Sequence, residues 1–201
     1  MGLFAKLVEY VSDHPVLFIF FRSILENDFK AIRAVIRREL RLGEGLRTLD
    51  LGCGPGAFAD LFNGDDYVGA DCNRRYIEYA QKKGKGTFVL GDARKLDLPD
   101  TRFDQVLIFG LLHHLPDDDV RAVLSEARRM LAPGGRILAI EDIPAISRLN
   151  LLGHLIHNVE NGEHIRPVDQ YRRLYEEQTR IERDEVLQSG ICDYYAAVLV
   201  K

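Results

Sequence analysis

Three glycines within five residues, Gly52, Gly54 and Gly56, lie between a carboxylate on their N-terminal side, Asp50, and another further on, Asp71. The run Leu49-Asp50-Leu51-Gly52-Cys53-Gly54-Pro55-Gly56-Ala57-Phe58 reads as a strand, a glycine-rich turn and then a helix from about Ala57 to Phe62. A side chain at Gly52 or Gly54 would obstruct such a turn and keep a ligand from the backbone. The following helix would offer its unpaired N–H groups to an anion. Asp71, nineteen residues past Gly52, ends the next strand-like run, where a carboxylate can accept both hydrogen bonds of a ribose diol. Gly91-Asp92-Ala93 follows a third strand-like run, and Asp92 there could accept a hydrogen bond from an adenine amino group. This is nucleoside-binding chemistry. Gly52-x-Gly54-x-x-Ala57 also satisfies the looser dinucleotide fingerprint, so the loop alone leaves nicotinamide and flavin cofactors open.

The elements that must position these groups alternate. Strand-like runs at Arg47–Leu51, Tyr67–Asp71, Gly86–Gly91, Phe103–Phe109 and Arg136–Glu141 are separated by helical stretches, among them Asn73–Lys83 and Asp118–Leu131. Ala132-Pro133-Gly134-Gly135 ends the second of these and turns the chain into the fifth strand. Such alternation means an α/β sheet with its ligand at the carboxyl ends of the strands. Residues 1–45 read as two helices, and Leu25, Phe29, Ile32, Ile36 and Leu40 form an apolar stripe along the second. Residues 143–170 read as an insertion, followed by a charged helix around Val168–Gln178. Ile181–Leu187 and Tyr194–Val200, separated by Ser189-Gly190, predict a closing antiparallel hairpin. The expectation is a single domain: a helical cover over 1–45, a cofactor-binding core over 46–142, an insertion or lid over 143–170, and a helix with hairpin over 171–201.

With Asp50 and Pro55 the loop reads Asp-x-Gly-x-Gly-Pro-Gly, and in this order with Asp71 and Asp92 the sequence resembles the class I S-adenosylmethionine-dependent methyltransferases. The likeness extends from about Thr48 to Ala139 and returns in the final hairpin. Phe103-Asp104, Leu112-His113-His114-Leu115 and Leu131-Ala132-Pro133-Gly134-Gly135 are similar to later signatures of that family. The resemblance implies a seven-stranded Rossmann-like sheet, six strands parallel and the last antiparallel, with N-terminal helices and S-adenosylmethionine across the strand ends. It implies that Asp50 and the backbone of Gly52, Cys53, Gly54 and Gly56 hold the methionine end. Asp71 would take the ribose, Asp92 and the Ala93 N–H the adenine, and Phe109 and Gly110 would line the sulfonium side. Cys72 departs from the hydrophobic residue usual after the ribose acid, yet a small thiol can still pack on adenine.

The sulfonium is already an activated electrophile, so the protein's task is to align a nucleophile and exclude water. A general base helps when the acceptor is a protonated hydroxyl or amine, and His113 and His114 at the end of the fourth strand are candidates. A His-His pair also serves packing and loop hydrogen bonding, so the catalytic residues stay open. His154, His157 and His164 lie in the insertion without a settled ligand set, and no metal is expected. Ile146, Leu149, Leu151, Leu152, Leu155 and Ile156 suit a roof over an acceptor pocket.

Composition narrows the partners. The chain has 201 residues, 46% hydrophobic and 29% charged, with a formal net charge of −4, which excludes disordered and collagen-like classes and offers no general attraction to nucleic acid. Lys30, Arg33, Arg37 and Arg41 form a basic stripe that reads as a solvated helix face. Cys53, Cys72 and Cys192 read as free thiols in a reducing compartment, and Val16–Phe21 is too short to span a bilayer. A cytoplasmic enzyme is expected, methylating a small apolar or amphipathic acceptor, with membrane-surface contact not expected. The rivals are methylation of RNA or protein and a non-catalytic S-adenosylmethionine-binding regulator or scaffold. Phe109-Gly110-Leu111-Leu112 stands where base-amine methyltransferases carry Asn/Asp-Pro-Pro-Tyr/Phe, which counts against the first.

Overall fold

The computed structural model describes residues 14–43, 45–98, 102–146 and 164–201. Seven strands form one sheet: β1 (Thr48–Leu51), β2 (Tyr67–Asp71), β3 (Thr87–Leu90), β4 (Phe103–Phe109), β5 (Leu131–Asp142), β6 (Arg180–Ser189) and β7 (Cys192–Val200). Their order across the sheet is β3-β2-β1-β4-β5-β7-β6, with β7 antiparallel to both neighbours and the first five strands parallel. The strand order reverses between β1 and β4, and in open α/β sheets ligands bind in the crevice beyond the carboxyl ends at such a switch point. Among the described residues the helices are α1 (Pro15–Leu25), α2 (Lys30–Glu39), α3 (Arg74–Lys83), α4 (Asp117–Met130) and α5 (Val168–Glu176). Local chemistry fixes several boundaries: Asn73 caps α3 by accepting from the Arg75 and Tyr76 N–H groups, Gly84 ends it in the left-handed region, and Asp117, Asp118 and Asp119 fill the first turn of α4.

The central strands are apolar on both faces because both are covered. On one side Val106, Ile108, Ile137 and Ala139 pack with Val123, Leu124 and Ala127 of α4 and Tyr171 and Tyr175 of α5. On the other, Leu107, Leu138 and Ile140 meet Ile32, Val35 and Ile36 of α2. Ile32 and Ile36 are fully buried, each stabilising the fold by about 1.5–3 kcal/mol relative to exposure.

Three sequence expectations change. The helix expected from about Ala57 to Phe62 is only a 3-10 turn, Ala59–Leu61, followed by another, Gly64–Asp66. The apolar stripe is real from Phe29 onward, but Leu25 ends α1 instead of lying on the second helix, because Asn27, Asp28 and Phe29 break the two apart with φ of 51°, 57° and 54°. Three consecutive non-glycine residues in the left-handed region are costly. Finally, β5 begins at Leu131, which pairs with Phe103, and Ala132–Gly135 bulges before Arg136 pairs with Gln105. Of the expected roof, Ile146 is exposed, while 149–156 with His154 and His157 lies outside the described residues.

What pins α1 down is the far end of the chain. The Ile191 N–H donates to the Leu25 carbonyl at 3.1 Å, and the Ser189 hydroxyl donates to the Glu26 carbonyl at 3.0 Å. Gly190 has φ +58°, and a Cβ there would overlap the Leu25 carbonyl oxygen. Only glycine fits this contact.

Candidate active site

The glycine turn lies at the crevice, and its shape is set by contacts on all sides. The Gly52 and Cys53 N–H groups both donate to the Ala70 carbonyl, at 2.8 and 3.1 Å, folding the turn back over β2. Gly52 has φ +75°, and a Cβ there would come within 3.1 Å of Leu111, the residue packed against it from the loop after β4. The first and fourth strands thus meet through a glycine and a leucine at the point where the sheet order reverses. Cys53 turns its thiol inward: it is buried, and a Cβ on Gly69 would sit 2.8 Å from its Sγ. Burial, with Asp50 and Asp71 nearby, pushes the Cys53 thiol well up, so Cys53 offers a ligand its backbone and not a thiolate.

Asp71 does double work. Its Oδ2 accepts the Gly54 N–H at 2.8 Å and its Oδ1 accepts the Asn73 N–H at 2.7 Å. The carboxylate therefore joins the glycine turn to the start of α3. Each oxygen has a second lone-pair direction left, the pair of acceptors that the two hydroxyls of a ribose diol need. Burial raises its pKa, opposed by the Asn73 and Gly54 hydrogen bonds. Asp50 lies beneath the turn, 2% exposed, and its Oδ2 accepts the Tyr67 hydroxyl at 2.5 Å. Burial pushes the Asp50 carboxyl up to about 7, with the Tyr67 hydrogen bond pulling down and the Asp71 charge pushing up. Its polar contact is with Tyr67, so it supports the turn from the interior.

The shortened crossover after the turn removes the helix N-terminus expected to meet an anion. Arg33 of α2 braces this crossover, donating to the Ala57 carbonyl at 2.7 Å and to both Asp60 oxygens at 3.0 Å. A cavity of about 360 Å³ lies beside it, bounded by Ile19, Phe29, Gly56, Ala57 and Phe88 with Lys83 and Lys85 at the rim. Asp92 stands on the strand-end edge, as expected, but is engaged: Arg94 donates to it from Nε and Nη2 at 3.0 and 2.6 Å and from Nη1 to Asp119 at 2.8 Å. The Arg94 hydrogen bond holds the Asp92 carboxyl below its ordinary range. Ala93 packs partly buried against the core, and Cys72 is exposed.

At the end of β4, Phe109 joins an aromatic cluster with Phe58, Phe29 and Tyr194, at centroid separations of 5.0, 6.1 and 5.8 Å. Gly110 turns at φ +61°, with the His113 ring 3.6 Å from where its Cβ would be. The turn Leu112–His114 is organised by Glu141, a residue the sequence reading did not single out. Glu141 is fully buried and accepts the N–H groups of Leu111, Leu112 and His113 at 3.1, 2.8 and 3.2 Å, and contacts His113 Nδ1 at 3.0 Å. Burial depresses the basicity of His113, while the hydrogen bond to Glu141 and the charges of Asp142 and Glu141 raise it, and the net direction is up. The His114 ring lies with its centroid 4.0 Å from that of His113, tilted by 45°. Arg166, also missed, is buried and donates to the carbonyls of Leu112, His164 and Leu115 and to Asp117. A lone arginine after an unpatterned stretch carries no spacing signal. Glu141 and Asp142 did carry one: like Asp71, they are acids ending a strand.

Among the described residues no group of three His, Cys, Asp or Glu side chains could hold a metal ion, and no described helix is long and apolar enough to cross a membrane. The glycine turn and Asp71 fit the nucleoside expectation.

Comparison with known proteins agrees. A methyltransferase-domain family matches residues 48–135. The chain is 37% identical over 108 residues to a fatty-acid O-methyltransferase of Mycolicibacterium smegmatis, covering 50% of this chain and 39% of that protein. It is 35% identical over 104 residues to a demethylmenaquinone methyltransferase of Thermotoga maritima, covering 49% and 44%. In each case the chain spans less than half of the relative's length. Magnesium protoporphyrin IX methyltransferase from Synechocystis PCC 6803, solved with bound S-adenosylhomocysteine, superimposes with a TM-score of 0.67 at 19% identity, over 88% of this chain and 83% of that one. Residues 48–135, which carry the Asp-x-Gly-x-Gly-Pro-Gly turn, thus match a methyltransferase-domain family, and over that part the chain is similar to known methyltransferases.

Proposed function

We propose that this domain transfers a methyl group from S-adenosylmethionine to a small acceptor with an apolar or amphipathic body. The observation that carries this reading is the Asp71 carboxylate, fixed by Gly54 and Asn73 at the crevice with lone pairs left for a diol. In this reading Asp71 receives the ribose, and the backbone of Gly52, Cys53, Gly54 and Gly56 faces the methionine end, with Asp50 supporting that turn through Tyr67. Asp92 and Ala93 lie toward the adenine, with Cys72 beside it, and Asp92 shares its oxygens with Arg94. Phe109 and Gly110 border the sulfonium side. When bound, the donor supplies an electrophilic methyl on a positively charged sulfur, and this chain contributes alignment and exclusion of water. A small lipid-like acceptor is favoured by two relatives, which methylate a fatty acid and a menaquinone precursor.

Isothermal calorimetry tests the first half of this reading. S-adenosylhomocysteine is expected to bind and NAD not, and the reverse result would overturn it. Formation of S-adenosylhomocysteine in the presence of small acceptors tests the second half, since a scaffold that only binds the donor would form none.

A further inference from the structure

At the carboxyl end of β5, next to Glu141, stands a carboxylate without a donor. Asp142 is fully buried, and neither of its oxygens accepts a hydrogen bond. Among the described residues the groups facing it are His113 Nδ1 at 3.7 Å from the loop after β4, Arg22 Nη2 at 3.9 Å from α1, Tyr194 opposite it in the β5–β7 register, and Tyr171, whose hydroxyl donates to its backbone carbonyl at 3.3 Å. Each is committed elsewhere. Arg22 pairs with Glu26 at 2.5 Å and donates to the Tyr194 hydroxyl at 2.9 Å, Tyr194 donates to Glu26 at 2.6 Å, and His113 is held by Glu141. A buried carboxylate left in this state costs several kcal/mol, and a fold keeps such a cost where a ligand relieves it.

The position says which ligand. Asp142 borders His113, and His113 borders Gly110 on the side assigned to the sulfonium. We propose that Asp142 receives the reacting hydroxyl of the methyl acceptor, accepting its hydrogen bond and then its proton. The inference rests on the transferase reading above. A hydroxyl is the group that fits, because it donates to the carboxylate and keeps a lone pair for attack. The acceptor oxygen forms the new bond to the methyl carbon, the carbon–sulfur bond breaks with its electron pair returning to sulfur, and the hydroxyl proton passes to Asp142. His113, held by Glu141 with its Nδ1 3.7 Å from Asp142, is then a positioning residue. Closed as it is, the carboxylate is reached by displacing a cover, and Arg22 of α1 is the nearest described one.

Asp142→Asn keeps the shape and removes the base, and it is tested on the full chain in two ways. In thermal melting without acceptor, the variant is expected to melt at or above the wild-type temperature, since a buried carboxyl that accepts no hydrogen bond is replaced by a neutral amide. A melt several degrees lower would mean that the carboxylate already has its structural partner, and would overturn the proposal. In turnover with S-adenosylmethionine, 1-naphthol and 1-hexadecanol serve as hydroxyl probes and hexadecanoic acid as one that is ionised before it binds. Methylation of a hydroxyl probe is expected to fall at least 100-fold in kcat in the variant, with S-adenosylhomocysteine affinity within twofold. Undiminished methylation of a hydroxyl probe, or methylation of the acid alone, would overturn the assignment of Asp142. Failure of the wild type to bind S-adenosylhomocysteine would instead strike the underlying reading.

Discussion

Replacing Asp71 by Asn separates its two duties by magnitude. In the folded chain one oxygen accepts from Gly54 and the other from Asn73. The amide retains a single acceptor, so one of these N–H groups is left facing an NH2. An unsatisfied backbone donor costs about 1–3 kcal/mol, and it is offset in part because a carboxylate whose pKa is raised by burial is itself held at a cost. A net loss of about 1–2 kcal/mol in folding stability follows. Binding loses more. A ribose diol bonded to both oxygens of a charged carboxylate gives about 1.5–3 kcal/mol per hydrogen bond, and the variant keeps at best one of the two. A Kd for S-adenosylhomocysteine about 10- to 100-fold higher is expected, at about 1.4 kcal/mol per tenfold. Urea unfolding with and without S-adenosylhomocysteine, together with calorimetry, measures both quantities. A variant with an unchanged midpoint and an affinity within twofold of the wild type would refute both the staple and the ribose role.

Asp50, with its pKa pushed from 3.8 to about 7 chiefly by burial, binds its proton more tightly folded than unfolded. Its contribution to stability is therefore present below about pH 4 and lost as pH rises through 7, a difference of about 4 kcal/mol. Asp50→Asn is expected to flatten that part of the curve when urea midpoints at pH 5 and pH 8 are compared. Glu141→Gln removes the charge on which three N–H groups and His113 converge. A stability loss of about 2–3 kcal/mol is expected, and NMR is expected to show the His113 ring titrating at a lower pH. Gly190→Ala drives a methyl into the Leu25 carbonyl at a left-handed φ, and a loss of about 1–3 kcal/mol with earlier proteolysis near Leu25 is expected.

The parallel core was legible because its strands are short β-branched and leucine-rich runs with turn residues between them, and the glycine turn was legible because few other structures need glycine at three alternate positions. The missing helix was legible only in arithmetic. About ten residues separate Gly56 from Tyr67, and the turn formers Asn63-Gly64-Asp65-Asp66 leave too few for a stable α-helix. Arg33 fell into a stripe that looks solvated from its spacing. Its partners Ala57 and Asp60 belong to another element, and local periodicity carries no information about them. Asp142 illustrates the same limit. Its place at a strand end can be read from the sequence, but its lack of a donor depends on Arg22, Tyr194 and His113 each being occupied by a third residue.

The contact between the Ser189–Ile191 turn and the end of α1 also sets a timetable for synthesis. Glu26 and Ser189 are 163 residues apart, so at roughly 5–20 residues per second the first helix leaves the ribosome about ten to thirty seconds before its fastening exists. Val16, Phe20, Phe21 and Ile24 remain 59%, 57%, 45% and 62% exposed even after docking. During that interval nothing from β7 can hold Arg22, and Glu26, buried in the finished fold, is still open to water. Assembly of this corner must come last, and a nascent chain stalled before Ser189 is the form most exposed to capture by chaperones or by other nascent chains.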